Sequence, residues 1–596
     1  MANTLLERYR AATPDNVNVV LNDVINASPF AFDRTSRSEF IQALLADLQV
    51  VNGKITAQNA ATALLALKTL GKNPTGSESL GTAPILSTLL KIVSTHKDDI
   101  EASGEGLRCI ANALLLFEPA RTAFISSQVK GGDVCIDLLQ KSSNPDQIFI
   151  LSRILFLSTV HPSQFITALV EEKRVVEVVG AKLDLLITSL LSGAKTSKEA
   201  MVDVLKFTFN VLMHYPKSLD GPSDGKVIGD SWSPKLDSIL PPLLRVFHAL
   251  PPTFPTPIAA PLTHAIHSLI VVPITPTLRS EWFTSSGSSS PKPTMQRTES
   301  SSSSRTHSPV RSGGPTSPTG KSSPLDRALS VLSAGRRSLS RSPSPIPPRP
   351  SPKDTLLRAH SLLEVAFTHY FPEMTEPDDL SVRDKVKSES TLSPPAESLD
   401  DELSPLVVLI TRLCNADENS RTRTRDWLCP ADLDRSAAAG SLESRPDMLG
   451  RCLRLLGSVY HARLKDSVGE MLYAMCDSDV STMSTLLGYG NVAGFLFNKG
   501  IMTAPPPSTS TSPSTAAALA AASSPSINPI TGTTNAPREP EPEMTQEEKE
   551  REMEKLFVLF DRLERTGALP KEQNPIRKAM EKAATAPPPP PNDNDD

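Results

Sequence analysis

The feature that most restricts this chain is the recurrence of apolar residues at every third or fourth position, in blocks that run into regularly placed prolines. QNAATALLALKTLG, GEGLRCIANALLLF, QIFILSRILFLSTV and MVDVLKFTFNVLMHY all carry the spacing of a helix with one buried face. Each block runs into a proline, which lacks the N–H an α-helix needs to continue: Pro74, Pro119, Pro162 and Pro216. These prolines stand 45, 43 and 54 residues apart. The first two intervals fall in the period of about 40–47 residues of armadillo and HEAT repeats, and the third has room for a loop insertion. Alternation of the strand type is almost absent. The pattern predicts an all-α, armadillo/HEAT-type α-solenoid over residues 1–283.

Proline, 54 residues of 596, is too abundant for one uninterrupted array. Residues 284–353 hold eleven Lys/Arg against Glu299 and Asp326, with seven Ser-Pro dipeptides. So little apolar surface cannot offset the entropy of ordering the segment, and a disordered basic insertion is predicted. Phosphorylation at proline-directed or basic-context serines, among them Ser330, Ser340, Ser342 and Ser344, would move its charge from strongly positive toward negative. A solvated insertion without a role is the competing reading. Pro347–Pro350 fits a PxxP ligand, but such a match arises easily by chance in proline-rich sequence.

Helical periodicity resumes over 354–502, in LLRAHSLLEVAFTHYF, SPLVVLITRLCN and a run from Asp447 to Leu487 that reads as three helices. Residues 503–540 read as a flexible linker rich in Pro, Ser, Thr and Ala. A helical segment follows over 541–583, ahead of a disordered tail at 584–596. Its start has a T-x-x-E capping box, Thr545 with Glu548. Met553, Leu556, Phe557, Phe560 and Leu563 then make one apolar stripe.

The formal charge of −5 argues against nucleic acid as the main partner. Six cysteines lie far apart, without C-x-x-C pairs or histidine clusters, so buried reduced thiols are expected rather than a zinc site. No metal or cofactor is implied. MANTLLERYR lacks the apolar core of a signal peptide, and the uncharged stretch from Ala249 to Leu278 is interrupted by prolines. A cytoplasmic, monomeric protein without a transmembrane segment is expected. The sequence has no G-x-S-x-G, H-E-x-x-H or Walker A pattern, and His264 and His267 read as satisfied histidines. A regulatory binding protein fits better than an enzyme.

GYGNVAG, Gly488–Gly494, matches the G-x-G-x-x-G of dinucleotide-binding folds. That reading requires a preceding strand and an acid about twenty residues later, and both are missing. The glycines read instead as a tight turn between helices at Gly488, Tyr489, Gly490 and Asn491.

GYGNVAGFLFNKGIM resembles the turn and helix that mark the synembryn family, the cytosolic chaperones and exchange factors of heterotrimeric G-protein α subunits (Gα). INPITG (Ile527–Gly532) is similar to the family's linker motif, and MTQEEKEREMEKLFVLFDRLER (Met544–Arg565) to its C-terminal helix. GEGLRCIANALLLFEPAR resembles its repeat helix and WLCPADLDRS a loop between later repeats. One departure stands out. Where animal members carry an acidic, phosphorylated Ser/Thr cluster, this chain reads TAPPPSTSTSPSTAAALAAASSPS, without a charge.

The resemblance implies Gα binding, assistance in Gα folding, and nucleotide exchange by preferential binding of the nucleotide-free state. Armadillo-type grooves are lined by polar and basic residues of the inner helices. By that pattern Lys68, Lys72, Arg108, Asn112 and Asn210 are candidates; the ordinary alternative for each is an exposed or locally bonded helix residue. The resemblance implies that this groove takes the C-terminal helix of Gα and that the Met553–Leu563 stripe contacts Gα directly. Recruitment to the inner face of the plasma membrane would then occur through Gα. A scaffold or transport adaptor of the same fold, binding peptides without affecting nucleotide exchange, remains open.

Overall fold

A computed structural model describes residues 2–28, 30–50, 53–219, 232–283, 354–392, 398–501, 527–528 and 530–534. The predicted insertion with its four serines, most of the linker, the capping box, the Met553–Leu563 stripe and the tail lie outside the described residues.

Among the described residues there are 23 α-helices and no strand. The first block comprises α1 (Ala2–Ala11), α2 (Val17–Asn26), α3 (Arg34–Asp47), α4 (Ala60–Leu70), α5 (Ala83–Thr95) and α6 (Ile100–Leu116). It continues through α7 (Glu118–Ile125), α8 (Gly131–Lys141), α9 (Pro145–Ser158), α10 (Gln164–Glu171), α11 (Val175–Leu191) and α12 (Ser197–Leu219). Then come α13 (Leu240–Ala249), α14 (Leu262–Val271) and α15 (Arg279–Trp282). After the gap follow α16 (Thr355–Tyr370), α17 (Leu380–Leu392), α18 (Leu399–Ala416) and α19 (Glu418–Leu428). The last four are α20 (Met448–Leu456), α21 (Ala462–Met475), α22 (Val480–Leu487) and α23 (Tyr489–Asn498).

Fourteen of the helices form two layers. In one, α2, α4, α6, α9, α12, α14, α18 and α21 each pack on the next; in the other, α5, α8, α11, α13, α16 and α20 do the same. Every repeat thus touches its neighbours and buries an apolar face it could not bury alone, which is the logic of a solenoid. Phe40, Phe124, Phe207, Phe247 and Phe367 are wholly buried in the packing of these helices and their neighbours. Each such ring contributes about 1.5–3 kcal/mol by leaving water.

Helix starts follow local chemistry. The side chains of Asp99, Asn144, Asp354, Asp417, Asp447 and Asp479 accept hydrogen bonds from the first-turn backbone amides of their helices. Ser398 and Asp401 form a reciprocal capping box at the start of α18. Two helix ends differ from the sequence expectation, one a stop and one a start. Pro216 lies inside α12, which runs on to Leu219. It falls in the last turn, and the wholly buried Tyr215 beside it anchors that turn through a hydrogen bond to Glu171. Helix α18 begins six residues before Pro405, not just ahead of it.

The two helical blocks are joined as one stack, since α14 packs on α18 and α13 on α16. Arg412 donates to the Val272 carbonyl at 3.1 Å, and Arg279 donates to the Ala416 carbonyl and to Asp417, both at 2.6 Å. Phe283 and Asp354, the residues flanking 284–353, line one cleft of about 510 Å³. No described helix is long and apolar enough to cross a membrane.

Candidate functional site

Along the stacked layer from α4 to α21, each helix leaves one stripe half-exposed while its other faces are buried. On α9 the stripe is Asp146, Phe149, Arg153 and Phe156; on α6 it is Glu105, Arg108 and Asn112. The spacing alternates three and four residues, so one helical face is repeated in register from helix to helix.

The charges on this face pair across helices. Lys68 Nζ on α4 lies 2.5 Å from Glu105 Oε2 on α6. Arg108 reaches back to Glu105 at 3.2 Å and forward to Asp146 on α9 at 2.5 Å. Arg153 on α9 meets Asp203 on α12 at 2.9 Å. The Asp203 side chain is only 1% exposed, and burial raises its pKa above the usual carboxylate range although Arg153 and Lys206 oppose this. Further along, Arg463 on α21 pairs with Asp401 on α18.

Between the charges stand aromatic rings. The Arg153 guanidinium sits 4.8 Å from the centre of Phe149, and Lys206 Nζ 5.9 Å from Phe156. Phe209 follows on α12, with His267 of α14 at 6.3 Å and His264 6.1 Å beyond it. Burial, then Lys206 and His267, push His264 down to about 3, so it is neutral at pH 7. His267 is also held down by burial, against the pull of Asp401. The result is a polar ladder with an aromatic floor. It can hold an amphipathic segment by packing apolar side chains on the rings and exchanging its internal ion pairs for new ones.

Of the sequence candidates, Lys68 and Arg108 are members of this ladder, and Asn112 shares the α6 stripe. Lys72 lies in the turn beyond α4, exposed beside a separate cleft of about 530 Å³ lined by Val24, Phe30 and Phe32. It is not on the ladder helix. Asn210 is buried: its Nδ2 donates to the Phe156 carbonyl at 3.1 Å and to Thr159 Oγ1 at 3.2 Å, tying α12 to the end of α9. Glu105, Asp146, Arg153, Asp203, Lys206, Phe149, Phe156 and Phe209 escaped the sequence reading. Their signal was the three-and-four spacing of polar and aromatic residues within otherwise apolar helices.

Three of the motif segments quoted above, GYGNVAGFLFNKGIM, INPITG and WLCPADLDRS, meet at the C-terminal end of the stack. Gly488 ends α22 and opens α23 with φ +82°. A Cβ there would lie 2.6 Å from the Thr531 carbonyl carbon, so INPITG rests directly on the glycine turn. Gly490 N–H donates to the Ile530 carbonyl at 2.9 Å, and Asn491 Nδ2 to the Leu487 carbonyl at 2.7 Å. Arg435, from WLCPADLDRS, donates to the carbonyls of Leu486 at 2.8 Å and Gly532 at 2.6 Å. Thr534 N–H in turn donates to the Arg435 carbonyl at 2.7 Å. The turn therefore seats another part of the chain. All six cysteines are buried and unpaired, and burial raises the Cys135 thiol to about 12.

A family model described as guanine nucleotide exchange factor synembryn matches residues 63–584. A curated relative from Caenorhabditis elegans, Chaperone ric-8, is 25% identical over 179 residues, which are 29% of this chain and 30% of the relative. That match spans under a third of the relative's length.

Proposed function

Because the chain belongs to the synembryn family of guanine nucleotide exchange factors, we propose that it binds Gα subunits, assists their folding and promotes GDP release. The observation that supports this most is the ladder, where Lys68, Arg108, Arg153 and Lys206 stand among half-buried Phe149, Phe156 and Phe209 along consecutive helices. Such a face fits the C-terminal helix of Gα, with apolar residues toward the rings and carboxylates toward the cations.

The mechanism is differential binding. Drawing that helix off Gα loosens the loops that hold the base and phosphates. If the nucleotide-free state is bound more tightly by some factor, linkage lowers GDP affinity by the same factor, and GDP leaves. A nascent Gα without nucleotide presents the same surface, so one interface serves folding and exchange. The Met553–Leu563 stripe makes a second contact, and recruitment to the membrane follows Gα. In this organisation the helices on either side of 284–353 act as one binding surface, and that insertion carries the phosphorylation sites.

The complex is expected to persist without nucleotide and to dissociate with GTPγS and magnesium. Equal retention in gel filtration with and without GTPγS would favour the scaffold reading instead.

A further inference from the structure

The strap Ile527–Thr534 closes on itself and on the stack. Asn528 N–H donates to the Thr533 carbonyl and Gly532 N–H to the Asn528 carbonyl, both at 2.8 Å, and Ile527 pairs with Thr534 in an antiparallel bridge. The seat is built for backbone contact. Gly488 and Gly532 both have positive φ, and a Cβ on Gly532 would lie 2.7 Å from Leu442 Cδ1 and 2.9 Å from Gly488 N. Arg435 clamps the two sides by binding one carbonyl from the end of α22 and one from the strap. The Leu486 carbonyl belongs to the last turn of its helix and has no partner within that helix, so the guanidinium also serves α22.

We propose that this strap, held by Arg435, Gly488 and Gly532, is a positioning device that sets where the C-terminal apolar stripe can reach. The proposal rests on the reading that the stripe binds Gα. From Ile501 to Thr545 the chain has 44 residues, but from Thr534 only 11. At no more than about 3.6 Å per residue, the first spans up to ~160 Å and the second ~40 Å. Effective concentration falls as roughly the −3/2 power of linking length, so pinning Thr534 raises it about eightfold. The strap thereby converts a remote second contact into a local one without touching the partner.

The test is a double-mutant cycle in the full chain, with Gα affinity measured by calorimetry. Gly532→Val, and independently Arg435→Ala, are expected to weaken Gα binding about five- to tenfold in the parent chain. Neither should weaken it further once Phe557→Ala and Phe560→Ala have removed the stripe. Equal losses in both backgrounds would overturn the proposal by making the strap a Gα contact or a support of the ladder. No loss in either would overturn it as well.

A measurement without Gα separates failure of the strap from failure of the Gα reading. Because the native cysteines are buried, spin labels can be placed at Ala438→Cys, exposed and close to Arg435, and at Thr545→Cys. Pulsed EPR should give a distribution confined below about 55 Å, broadening to longer distances in Arg435→Ala. An unchanged distribution in that variant would refute positioning whatever Gα does.

Discussion

Arg153→Ala tests how the ladder is held together. The Asp203 side chain is 1% exposed and its Arg153 partner 42%. Removing one member of a fully buried pair costs about 3–5 kcal/mol, whereas an exposed pair contributes less than about 1 kcal/mol. With one partner buried and the other near the surface, the loss should be about 2–3 kcal/mol, including up to ~1 kcal/mol for the contact with Phe149. The loss should depend on pH. Burial already raises the pKa of the Asp203 carboxyl, and without Arg153 it climbs further. Between its unfolded and folded pKa values the folded state binds more protons, so the penalty grows as pH rises through that window and levels off above it. Urea unfolding of parent and variant at pH 5 and pH 8 should therefore show the larger deficit at pH 8. Adding Asp203→Asn should recover all but the aromatic contact. A deficit equal at both pH values, or a double variant no more stable than Arg153→Ala, would refute a buried carboxylate held by this guanidinium.

Three further outcomes are expected. Phe557→Ala with Phe560→Ala should reduce Gα affinity at least about tenfold, equivalent to ~1.4 kcal/mol, without lowering the melting temperature of the free protein; calorimetry and a thermal melt check this. Protonating His264, which is pushed down to about 3 by burial, Lys206 and His267, should cost stability as pH falls from 7 to 5. Its unfolded form binds protons below about 6.5, giving up to about 2 kcal/mol of loss that His264→Gln removes, measured by urea unfolding at each pH. Replacing 284–353 with a short Gly/Ser linker should leave the melt nearly unchanged, since Phe283 and Asp354 already line one cleft; a loss of cooperativity would place the segment in the core.

Helix type and order were readable from residue spacing, because a solenoid's contacts are local and each helix must show its buried face in sequence. Helix ends were less readable. Pro216 and Pro405 were tolerated because packing outweighs one lost hydrogen bond, as the buried Tyr215 illustrates. At the site, basic residues were visible as types, but their pairing was not. Asn210 has the chemistry of a groove residue, and its bonds to Phe156 and Thr159 span about fifty positions. Lys68 and Arg108 likewise meet through Glu105, which carries no signal of its own beyond its helical phase. The break between helices was legible, but only Gly488 stands outside them: Tyr489, Gly490 and Asn491, read as part of the turn, already form the first turn of α23. That INPITG is the ligand of this turn was not legible, because the two are separated by more than thirty residues and joined by backbone contacts that leave no charge or apolar pattern.

If this chain accelerates nucleotide release by preferring Gα without nucleotide, GDP should leave Gα faster in its presence. The assay mixes Gα loaded with labelled GDP with the purified protein and chases with excess unlabelled nucleotide. Release should quicken in proportion to the protein added until the complex saturates, and Lys68→Glu with Arg108→Glu should suppress the effect. GDP release at the intrinsic rate, at concentrations where a Gα complex is seen to form, would rule out exchange activity and leave a binding scaffold in its place.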